Sequence, residues 1–502
     1  MSDYDIRVVS AAAITVVALY RLLKWSRESG PAMLPGPPAD TFLWGSLPTI
    51  RDPKEVIPEW TKKYGKTFAV TGFFSMKRLY TLDMRAIAHV LAHPAEFHKP
   101  WQSRIGLTAI TGPGLVAVEG DVHKRQRKIL NPVFSQSQIR SFTPLFLLKA
   151  QKLKDLWKTE VINTGDGSQT IDVLGWLSRA TLDIIGEAGF GYQFNALVDE
   201  SNELSGAFNK IFDVVESFNP IEFLQIWVPI VGKLPTKHNK EFKDSTAVLK
   251  RVGMGLIEEK TREATKDAPE KDEQQSTDTK AKDLLSVLIK SNADNSLSEE
   301  EVLAQIATFI AAGHETTSTG ITWALYALAS NPEVQKKLRA ELAAFPNDDP
   351  TMEELNGLQY LDWVVRESMR VYAPVEITSR QPIKDEVVPL SEPVTDVNGK
   401  VHHELHLRSG DVIFVHIREI NMSPDIWGED ARIFRPERWE SPPATANAVP
   451  SVYANIMTFL AGPRACIGWR MAVAEMKAFI FTTVRTFDIQ IDPKLVVLGK
   501  LG

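Results

Sequence analysis

The chain of 502 residues contains a single cysteine, Cys466, in the segment Phe459-Leu-Ala-Gly-Pro-Arg-Ala-Cys-Ile-Gly468. Without a second cysteine, no internal disulfide can hold the fold, and a structural zinc site would need several further ligands near this thiol. Two interpretations remain for Cys466: an inert buried thiol, or a thiolate that binds one metal centre.

The residues around Cys466 favour the metal ligand. Gly462 and Gly468 allow the backbone to pass close to a flat ligand, and Arg464 can form charge-assisted hydrogen bonds to a carboxylate. The apolar stretch 469–481 predicts a helix that begins just after Cys466, and a helix N-terminus favours the thiolate. Phe459 provides an aromatic cover for the sulfur.

The pattern Phe-x-x-Gly-x-Arg-x-Cys-x-Gly resembles the haem-binding signature of the cytochrome P-450 monooxygenases, and every position matches. The resemblance implies that Cys466 is the proximal ligand to the iron of haem b (iron protoporphyrin IX). A thiolate in that position pushes electron density toward oxygen and favours O–O cleavage. Phe459, Arg464 and Gly468 would then belong to the haem site.

Composition and charge are consistent with this family. Hydrophobic residues make up 44% of the chain and charged residues 24%, which is ordinary for a globular protein with a sizeable core. The length alone would suggest about three domains, but no long linker with low apolar content divides the chain. The net charge of −6 does not indicate nucleic-acid binding, and the lack of paired cysteines fits a reducing compartment.

The N-terminal segment 8–23 is nearly all apolar, with acidic residues before it and basic residues after it. This asymmetry predicts a single retained membrane anchor with the following domain on the cytoplasmic side. A cleaved signal peptide or an interfacial helix are the alternatives. The run Leu34-Pro-Gly-Pro-Pro38 predicts a stiff spacer. We therefore divide the chain into 1–29 (anchor and basic flank), 30–40 (proline-rich hinge) and 41–502 (haem-thiolate monooxygenase domain).

Hydrophobic spacing predicts a mainly α fold with a smaller β-rich region. The predicted helices are 53–64, 87–91, 138–157, 171–188, 204–215, 299–330, 352–372 and 469–481. The predicted strand regions are 66–82 around Gly72, 375–389, and 402–416 with a turn at Gly410-Asp411. The polar stretch 264–282 predicts a mobile surface loop.

A second motif lies in the longest predicted helix, which starts at a Ser298–Glu301 capping box and ends before Pro332. Its centre reads Ala312-Gly-His-Glu-Thr-Thr317. This stretch resembles the family's Ala/Gly-Gly-x-Asp/Glu-Thr-Thr/Ser motif, which implies that Thr316 and Glu315 supply protons for O–O cleavage. The alternative is a packing glycine followed by threonines that bond to their own helix. His314 occupies the variable position and is expected to be a core or pocket-lining residue.

A third group of residues is structural. Glu367 and Arg370 are three residues apart on a predicted helix, and Phe434-Arg-Pro-Glu-Arg-Trp439 follows later. The resemblance implies that Glu367, Arg370 and Arg438 form a buried ion-pair network.

Haem propionates need cations, and the candidates are Arg464, Arg380, His123 and Arg127. The segment that contains His123 and Arg127 resembles the family's Trp-x-x-x-Arg helix, with histidine in the tryptophan position. The basic residues Arg125, Lys124, Lys128 and Lys477 form either a solvated surface or a docking face for an acidic electron donor.

The resemblance implies a helical prism that encloses the haem. It implies a monooxygenase that inserts one oxygen atom from O2 into a small hydrophobic substrate by hydroxylation or epoxidation. Its electrons would come from an NADPH–cytochrome reductase, with the anchor in the endoplasmic reticulum membrane and the catalytic domain cytoplasmic. The sequence has a fungal style, and many fungal members act on terpenoids, fatty acids or aromatics in secondary metabolism. The alternatives are an oxygen-independent thiolate-haem isomerase or dehydratase, and a non-catalytic haem-binding protein.

By the same resemblance, the substrate pocket draws on a loop at 101–115, the region 212–231, the segment 375–377 and one helix face. That helix face carries Ile306, Phe309 and Ile310. Members of the family usually have a longer segment after the cysteine, and this segment forms a terminal β hairpin that contacts the substrate. We therefore expect this hairpin to be short or absent here.

Overall fold

The computed structural model describes residues 30–50, 53–164, 167–199, 202–216, 236–266, 283–492 and Lys494. The expected anchor, residues 217–231 of the expected pocket, most of the polar stretch 264–282 and the last eight positions lie outside these ranges. Within them, no helix combines the length and the apolar character that crossing a membrane requires.

The fold is mainly α-helical with a small β-rich part, as the hydrophobic spacing predicts. The helices are α1 (Leu47–Ile50), α2 (Pro53–Tyr64), α3 (Met84–Ala92), α4 (Trp101–Thr111), α5 (Gly120–Leu130), α6 (Gln136–Thr164), α7 (Val173–Ile184), α8 (Glu203–Glu216), α9 (Lys237–Lys266), α10 (Leu284–Ala293), α11 (Glu299–Ser330), α12 (Pro332–Ala343), α13 (Met352–Gly357), α14 (Gln359–Val371), α15 (Ile417–Asn421), α16 (Pro424–Trp427) and α17 (Trp469–Thr486).

The long helix α11 is the centre of the helical part. Ser298 and Glu301 form the expected capping box at its start, and the helix ends at Ser330, as predicted. Its sides pack against α4, α7, α9, α14 and α17, so its middle turns lie deep in the molecule. A residue on α11 can therefore face either the core or an internal opening, depending on its position around the helix.

Two sheets make up the β-rich part. The strands are β1 (Thr67–Thr71), β2 (Lys77–Thr81), β3 (Phe97–His98), β4 (Ile377–Pro382), β5 (Glu386–Thr395), β6 (Val401–Leu407) and β7 (Ile413–His416). The larger sheet has the order β1-β2-β7-β4-β3, and β5 pairs with β6 in the smaller one. The larger sheet brings residues near 80, 98, 380 and 415 together although they are far apart along the chain.

The proline-containing segment at the start of the described chain packs on both sheets. Leu34 is buried, and the Ala69 N–H donates to Pro35 O at 2.9 Å. A Cβ on Gly36 would lie 1.8 Å from Ala69 O, so only glycine fits there. Met33 O accepts a hydrogen bond of 2.9 Å from the Val397 N–H. Residues 33–36 therefore hold a defined position against the sheets.

The predicted single helix over 352–372 is wrong, because the chain breaks at Leu358, where ψ is 98°. The backbone N–H groups at the start of the second helix, α14, are capped by a side chain of another helix. The Glu341 carboxylate accepts the N–H groups of Tyr360 and Leu361, each at 2.8 Å. A cap from a residue so distant in sequence leaves no local signal.

Two further boundaries differ from the sequence interpretation. The expected loop at 101–115 is largely helical, because α4 runs from Pro100 as its N-cap to Gly112, whose φ is +65°. The helix expected over 171–188 changes at Ile185 into a π-helical stretch that ends at Gly191, where φ is +67°. At both C-terminal ends a glycine with positive φ stops the helix.

Candidate active site

The loop that carries Cys466 is held from two directions. A Cβ on Gly462 would meet the Leu91 carbonyl oxygen of α3 at 2.4 Å, and the φ of Gly462 is +70°. Only glycine satisfies both constraints. At the other side of the loop, the Cys466 N–H donates to Phe459 O at 2.9 Å, and Phe459 is buried. These contacts place Cys466 two residues before the N-cap of α17, Gly468.

The side chain of Cys466 is exposed, although the surrounding protein desolvates it. That desolvation raises the pKa of the thiol, while the Gly468 N–H and the positive charge of Arg127 act in the opposite direction. The N–H at the helix start therefore favours the thiolate, as expected, but burial has the larger effect on the pKa of the thiol. Exposure combined with desolvation indicates that the sulfur lies on the wall of an internal cavity, where coordination to a metal would remove the proton.

Two side chains in the middle of α11 are also accessible, although the helix lies deep in the molecule. Ala312 is exposed and Thr316, one turn later, is half-buried, whereas most neighbouring turns of the helix are buried. The Thr316 hydroxyl donates to Ala312 O at 2.7 Å, and the side chain of Glu315 is 29% exposed. The alcohol and the carboxyl group are therefore both partly accessible, and their role as an acid–alcohol pair stays a prediction.

The helix face expected to line the pocket is not the open one. Ile306, Phe309 and Ile310 all belong to the hydrophobic core, and Phe309 packs against Phe134 with ring centroids 5.3 Å apart. Their assignment to the pocket wall is wrong, because these positions point to neighbouring helices. By contrast, Val375 is 44% exposed, which agrees with its expected place on a pocket wall.

His314 is a core residue, as expected, with a side chain only 1% exposed. Its Nδ1 lies 2.7 Å from Ile310 O, and its ring packs against Phe208 at 4.9 Å. Burial lowers the pKa of His314 to about 4, against the opposing effect of the Ile310 carbonyl. The imidazole is therefore neutral at physiological pH, and Nδ1 carries the proton because a carbonyl can only accept.

A group of basic side chains, here called the basic cluster, lies beside the cysteine loop. Its members are His98, Lys99, Arg104, His123, Arg127, Arg380 and Arg464. Burial and the positive charges of Arg464 and Arg380 lower the pKa of Lys99 well below its usual value. Burial lowers the pKa of His123 to about 4, with help from Lys99 and Arg127. The four propionate candidates named from the sequence are thus brought together.

The sequence interpretation missed His98, Lys99 and Arg104. His98 belongs to β3, which pairs with β4 so that His98 lies opposite Gln381, next to Arg380. This strand has only two residues, too short for a recognisable period, and its partner lies almost 300 positions away. Pairing between strands so distant in sequence, and not a local motif, creates this part of the cluster.

The basic cluster has little negative charge to balance it. Within the described ranges, Glu119 is the one carboxylate in ion-pair contact with it, through Lys99 and Arg464. Arg464 contacts Glu119 through Nη2, whereas its Nη1 and the Nε2 of His98 are buried and have no hydrogen-bond partner among the described residues. Such orphaned donors next to concentrated positive charge fit a ligand with more than one carboxylate. The two propionates of a haem meet this requirement.

Arg127 connects the basic cluster to the cysteine loop. Its Nη1 donates to the carbonyl oxygen of Ala465 at 2.5 Å, and its charge acts on the neighbouring thiol. Arg380 is 3% exposed and donates to Thr378 Oγ1 at 2.9 Å and to Ser379 O at 2.7 Å. Both arginines are therefore held in place by neutral oxygens, which leaves their charge uncompensated.

The expected ion-pair network is confirmed. Arg370 and Glu367 are completely buried and Arg438 is 3% exposed. Arg438 Nε lies 3.5 Å from Glu367 Oε1, and Arg438 also donates to Asp430 Oδ1 at 2.7 Å. The Trp439 indole N–H donates to Glu367 Oε2 at 3.1 Å. This network fixes the segment that precedes the cysteine loop onto α14.

Lys477 does not belong to a basic surface. It is 2% exposed, and its Nζ lies 2.7 Å from Asp362 Oδ1 and 2.9 Å from Asn356 Oδ1. Its place in an electron-donor face is therefore wrong, because the carboxylate of α14 holds its charge inside the protein. Arg125 is half exposed and paired with Glu301, whereas Lys124 and Lys128 keep the surface position that either interpretation requires.

Comparison with known proteins shows which family the chain is similar to. A family model described as Cytochrome P450 matches residues 35–498. Cytochrome P450 monooxygenase 128 of Postia placenta is 42% identical over an alignment that covers 100% of this chain and 94% of the relative. Cytochrome P450 monooxygenase 205 of the same fungus is 44% identical, covering 91% of this chain and 86% of the relative. Ganoderic acid synthetase of Ganoderma lucidum is 33% identical, covering 97% and 93%.

Proposed function

Because the chain belongs to the cytochrome P450 family and is a cytochrome P450 monooxygenase, we propose that it inserts one oxygen atom from O2 into a small hydrophobic substrate, by hydroxylation or epoxidation. The observation that supports this proposal is the accessibility of the two sets of side chains that the chemistry needs. One set is the thiol of Cys466, and the other is Thr316 and Glu315 on α11.

The cofactor of the family is a haem-thiolate, and we propose haem b. When bound, it supplies an iron centre that activates O2 with electrons from a redox partner. Cys466 would bind the iron through sulfur. Arg464, Arg380, His123 and Arg127, with Lys99 and His98, would hold the two propionates, and Phe459 and Gly468 would shape the loop around the sulfur.

Thr316 and Glu315 are the proposed acid–alcohol pair. The Thr316 hydroxyl hydrogen now points at Ala312 O, so the lone pairs of Oγ1 face away from that bond and can accept a hydrogen bond from water. Rotation about χ1 would turn the hydroxyl into a donor toward the opening. The partly exposed Glu315 can exchange protons with water there. The two side chains can thus hold protons and pass them to the oxygen that reacts.

We propose NADPH–cytochrome reductase as the electron donor, and the endoplasmic reticulum membrane as the location. Support comes from the apolar segment 8–23 with basic residues after it. Deleting residues 1–29 should move the protein from the membrane fraction to the soluble fraction. A truncated protein that stays fully membrane-bound would contradict the anchor.

The proposed substrate is a hydrophobic product of fungal secondary metabolism, such as a terpenoid, a fatty acid or an aromatic compound. Ala312 and Val375 are apolar side chains that face open space, and apolar walls favour apolar ligands. One relative at 33% identity is named for the synthesis of ganoderic acid. Screening apolar compounds for the spectral shift caused by loss of the water ligand of iron would identify binders.

The test of the reaction is turnover with added reductase, NADPH and a binder, under 18O2. We expect NADPH-dependent product with one labelled oxygen atom. Product that forms without O2 and NADPH would instead identify an isomerase or dehydratase. Haem binding with no product from any binder would identify a non-catalytic haem protein.

A further inference from the structure

Four residues that each carry one unpartnered buried polar atom lie close together where β2, β7 and α15 meet, and Tyr80 packs in the hydrophobic cluster that includes Ile57 of α2. The four atoms are Tyr80 Oη, His416 Nε2, Arg418 Nη1 and Glu419 Oε1, and none has a hydrogen-bond partner among the described residues. Tyr80 is 1% exposed, His416 is fully buried and Glu419 is 3% exposed. Buried polar atoms are nearly always paired with protein or ordered water, so four orphans in one place require an explanation.

Short distances tie the four groups into one cluster. The rings of Tyr80 and His416 lie 6.0 Å apart. The Glu419 N–H donates to His416 Nδ1 at 3.4 Å, and Arg418 Nη1 lies 3.7 Å from Glu419 Oε1. That last separation is too long for a direct hydrogen bond. The other oxygen of Glu419 is occupied by Arg432.

The electrostatics of the groups agree with this proximity. Burial, and after it the charge of Glu419, raises the pKa of Tyr80 well above its usual value. Burial, with the charges of Arg418 and Arg432, lowers the pKa of His416 to about 3. The phenol therefore keeps its proton and the imidazole stays neutral.

The donors and acceptors of the cluster are complementary to one water molecule. Because His416 Nδ1 accepts the Glu419 N–H, the ring proton is on Nε2, which makes Nε2 a donor. Arg418 Nη1 is also a donor. Glu419 Oε1 is an acceptor, and the Tyr80 oxygen can accept. A water molecule accepts two hydrogen bonds and donates two, and buried waters typically make about three.

We propose that Tyr80, His416, Arg418 and Glu419 form a binding site for an ordered internal water molecule. The water accepts from His416 and Arg418 and donates to Glu419 and Tyr80. It adds a second link between the middle of the larger sheet and α15, beside the hydrogen bond from the Glu419 N–H to His416 Nδ1.

The site supports a segment that borders the internal opening. The Arg418 N–H donates to Glu376 O at 3.2 Å, and Arg418 Nε lies 3.6 Å from Glu376 Oε1. Glu376 follows the exposed Val375 and precedes Ile377, which pairs with His416 at the start of β4. The water therefore holds Arg418 and His416, the two residues that position this segment. The inference depends on these contacts and does not depend on the identity of the reaction.

The direct test is a crystal structure of the haem-loaded protein, with one crystal soaked in sodium bromide. We expect a solvent peak within hydrogen-bond distance of at least three of the four atoms, without anomalous bromide signal. Side chains that rotate to bond one another, with no peak, would overturn the proposal. An anomalous peak would show a halide site instead.

A solution test uses Tyr80→Phe, which removes only the hydroxyl. The matched control is Tyr64→Phe, since Tyr64 packs against the same hydrophobic cluster and its hydroxyl is not among the buried orphans. We expect Tyr80→Phe to lower Tm by roughly 1–2 °C more than the control, with the solvent peak weakened or lost in its crystal structure. Equal Tm values for both variants, together with an unchanged peak, would show that Tyr80 is not a partner of the water.

Discussion

Arg370 and Glu367 form a two-point ion pair in which both side chains are completely buried. Arg370 Nη2 donates to Glu367 Oε1 at 2.7 Å, and its Nε donates to Glu367 Oε2 at 2.9 Å. Arg370 Nη1 also donates to Asn421 O at 2.8 Å. One helix residue thus holds the C-terminal end of α15 against α14.

Replacement Glu367→Gln should destabilise the protein by about 3–5 kcal/mol, because it leaves the buried Arg370 without its carboxylate. We expect a large loss of folded, haem-containing protein, measured as the 450 nm ferrous-carbonyl absorbance per milligram of protein. The control is Glu353→Gln, which removes an ion pair with Arg140 that is more than half exposed and should change little. A normal yield of Glu367→Gln would contradict the role of the network.

Replacement Cys466→Ser should remove the thiolate ligand and leave the fold largely intact, because the side chain faces open space. The ferrous carbonyl complex should then lose its red-shifted Soret band, and far-UV circular dichroism should remain unchanged. A red-shifted band retained in the variant would mean that another group binds the iron.

Replacement Thr316→Ala should separate NADPH consumption from product formation, since without the hydroxyl protons are no longer delivered in a controlled way. We expect product per NADPH to fall by at least about ten-fold, with hydrogen peroxide in its place, since a positioned proton donor contributes about 10²–10⁴-fold. The matched control is Thr322→Ala on the same helix, whose hydroxyl also bonds one turn back, to Ser318 O at 2.8 Å. Equal coupling in both variants would remove Thr316 from the proton path.

Replacement Lys99→Met tests the part of the basic cluster that only the structure revealed. Loss of one charged hydrogen-bond donor costs about 1.5–3 kcal/mol, so haem should transfer to apomyoglobin roughly ten- to a hundred-fold faster. Lys128→Met, on the exposed side of α5, is the control. An unchanged transfer rate for Lys99→Met would exclude contact with a propionate.

His314 predicts a pH dependence of stability. Its pKa is about 4 in the folded protein and about 6.5 when unfolded, so the unfolded state binds the extra proton. The contribution of His314 to stability is present above pH 6.5 and is lost as pH falls from 6.5 toward 4, by up to about 3 kcal/mol. Urea unfolding of His314→Gln at pH 7 and pH 5 should show a smaller difference than wild type. An equal difference would mean that His314 does not carry this pH dependence.

Much of the fold and part of the site could be predicted because their signals are local. The capping box at Ser298 acts within a few residues, and the φ of +70° at Gly462 is likewise a property of the local backbone. Their geometry follows from backbone bonding and steric limits near them. The break at Leu358 could not be predicted, since the group that caps α14 is Glu341 on another helix.

The amino-acid order by itself determined which chemical groups stand at the centre: one thiol in a glycine-bounded loop, a threonine after an acid in a long helix, and a Glu-x-x-Arg pair. Only the tertiary structure decided which side chains face the internal opening and that Lys99 and His98 lie beside the arginines. It also decided that Lys477 forms an ion pair with a carboxylate inside the protein. Motifs depend on neighbours along the chain. Charge balance and exposure depend on neighbours in space, and those arise only when distant strands and helices pack together.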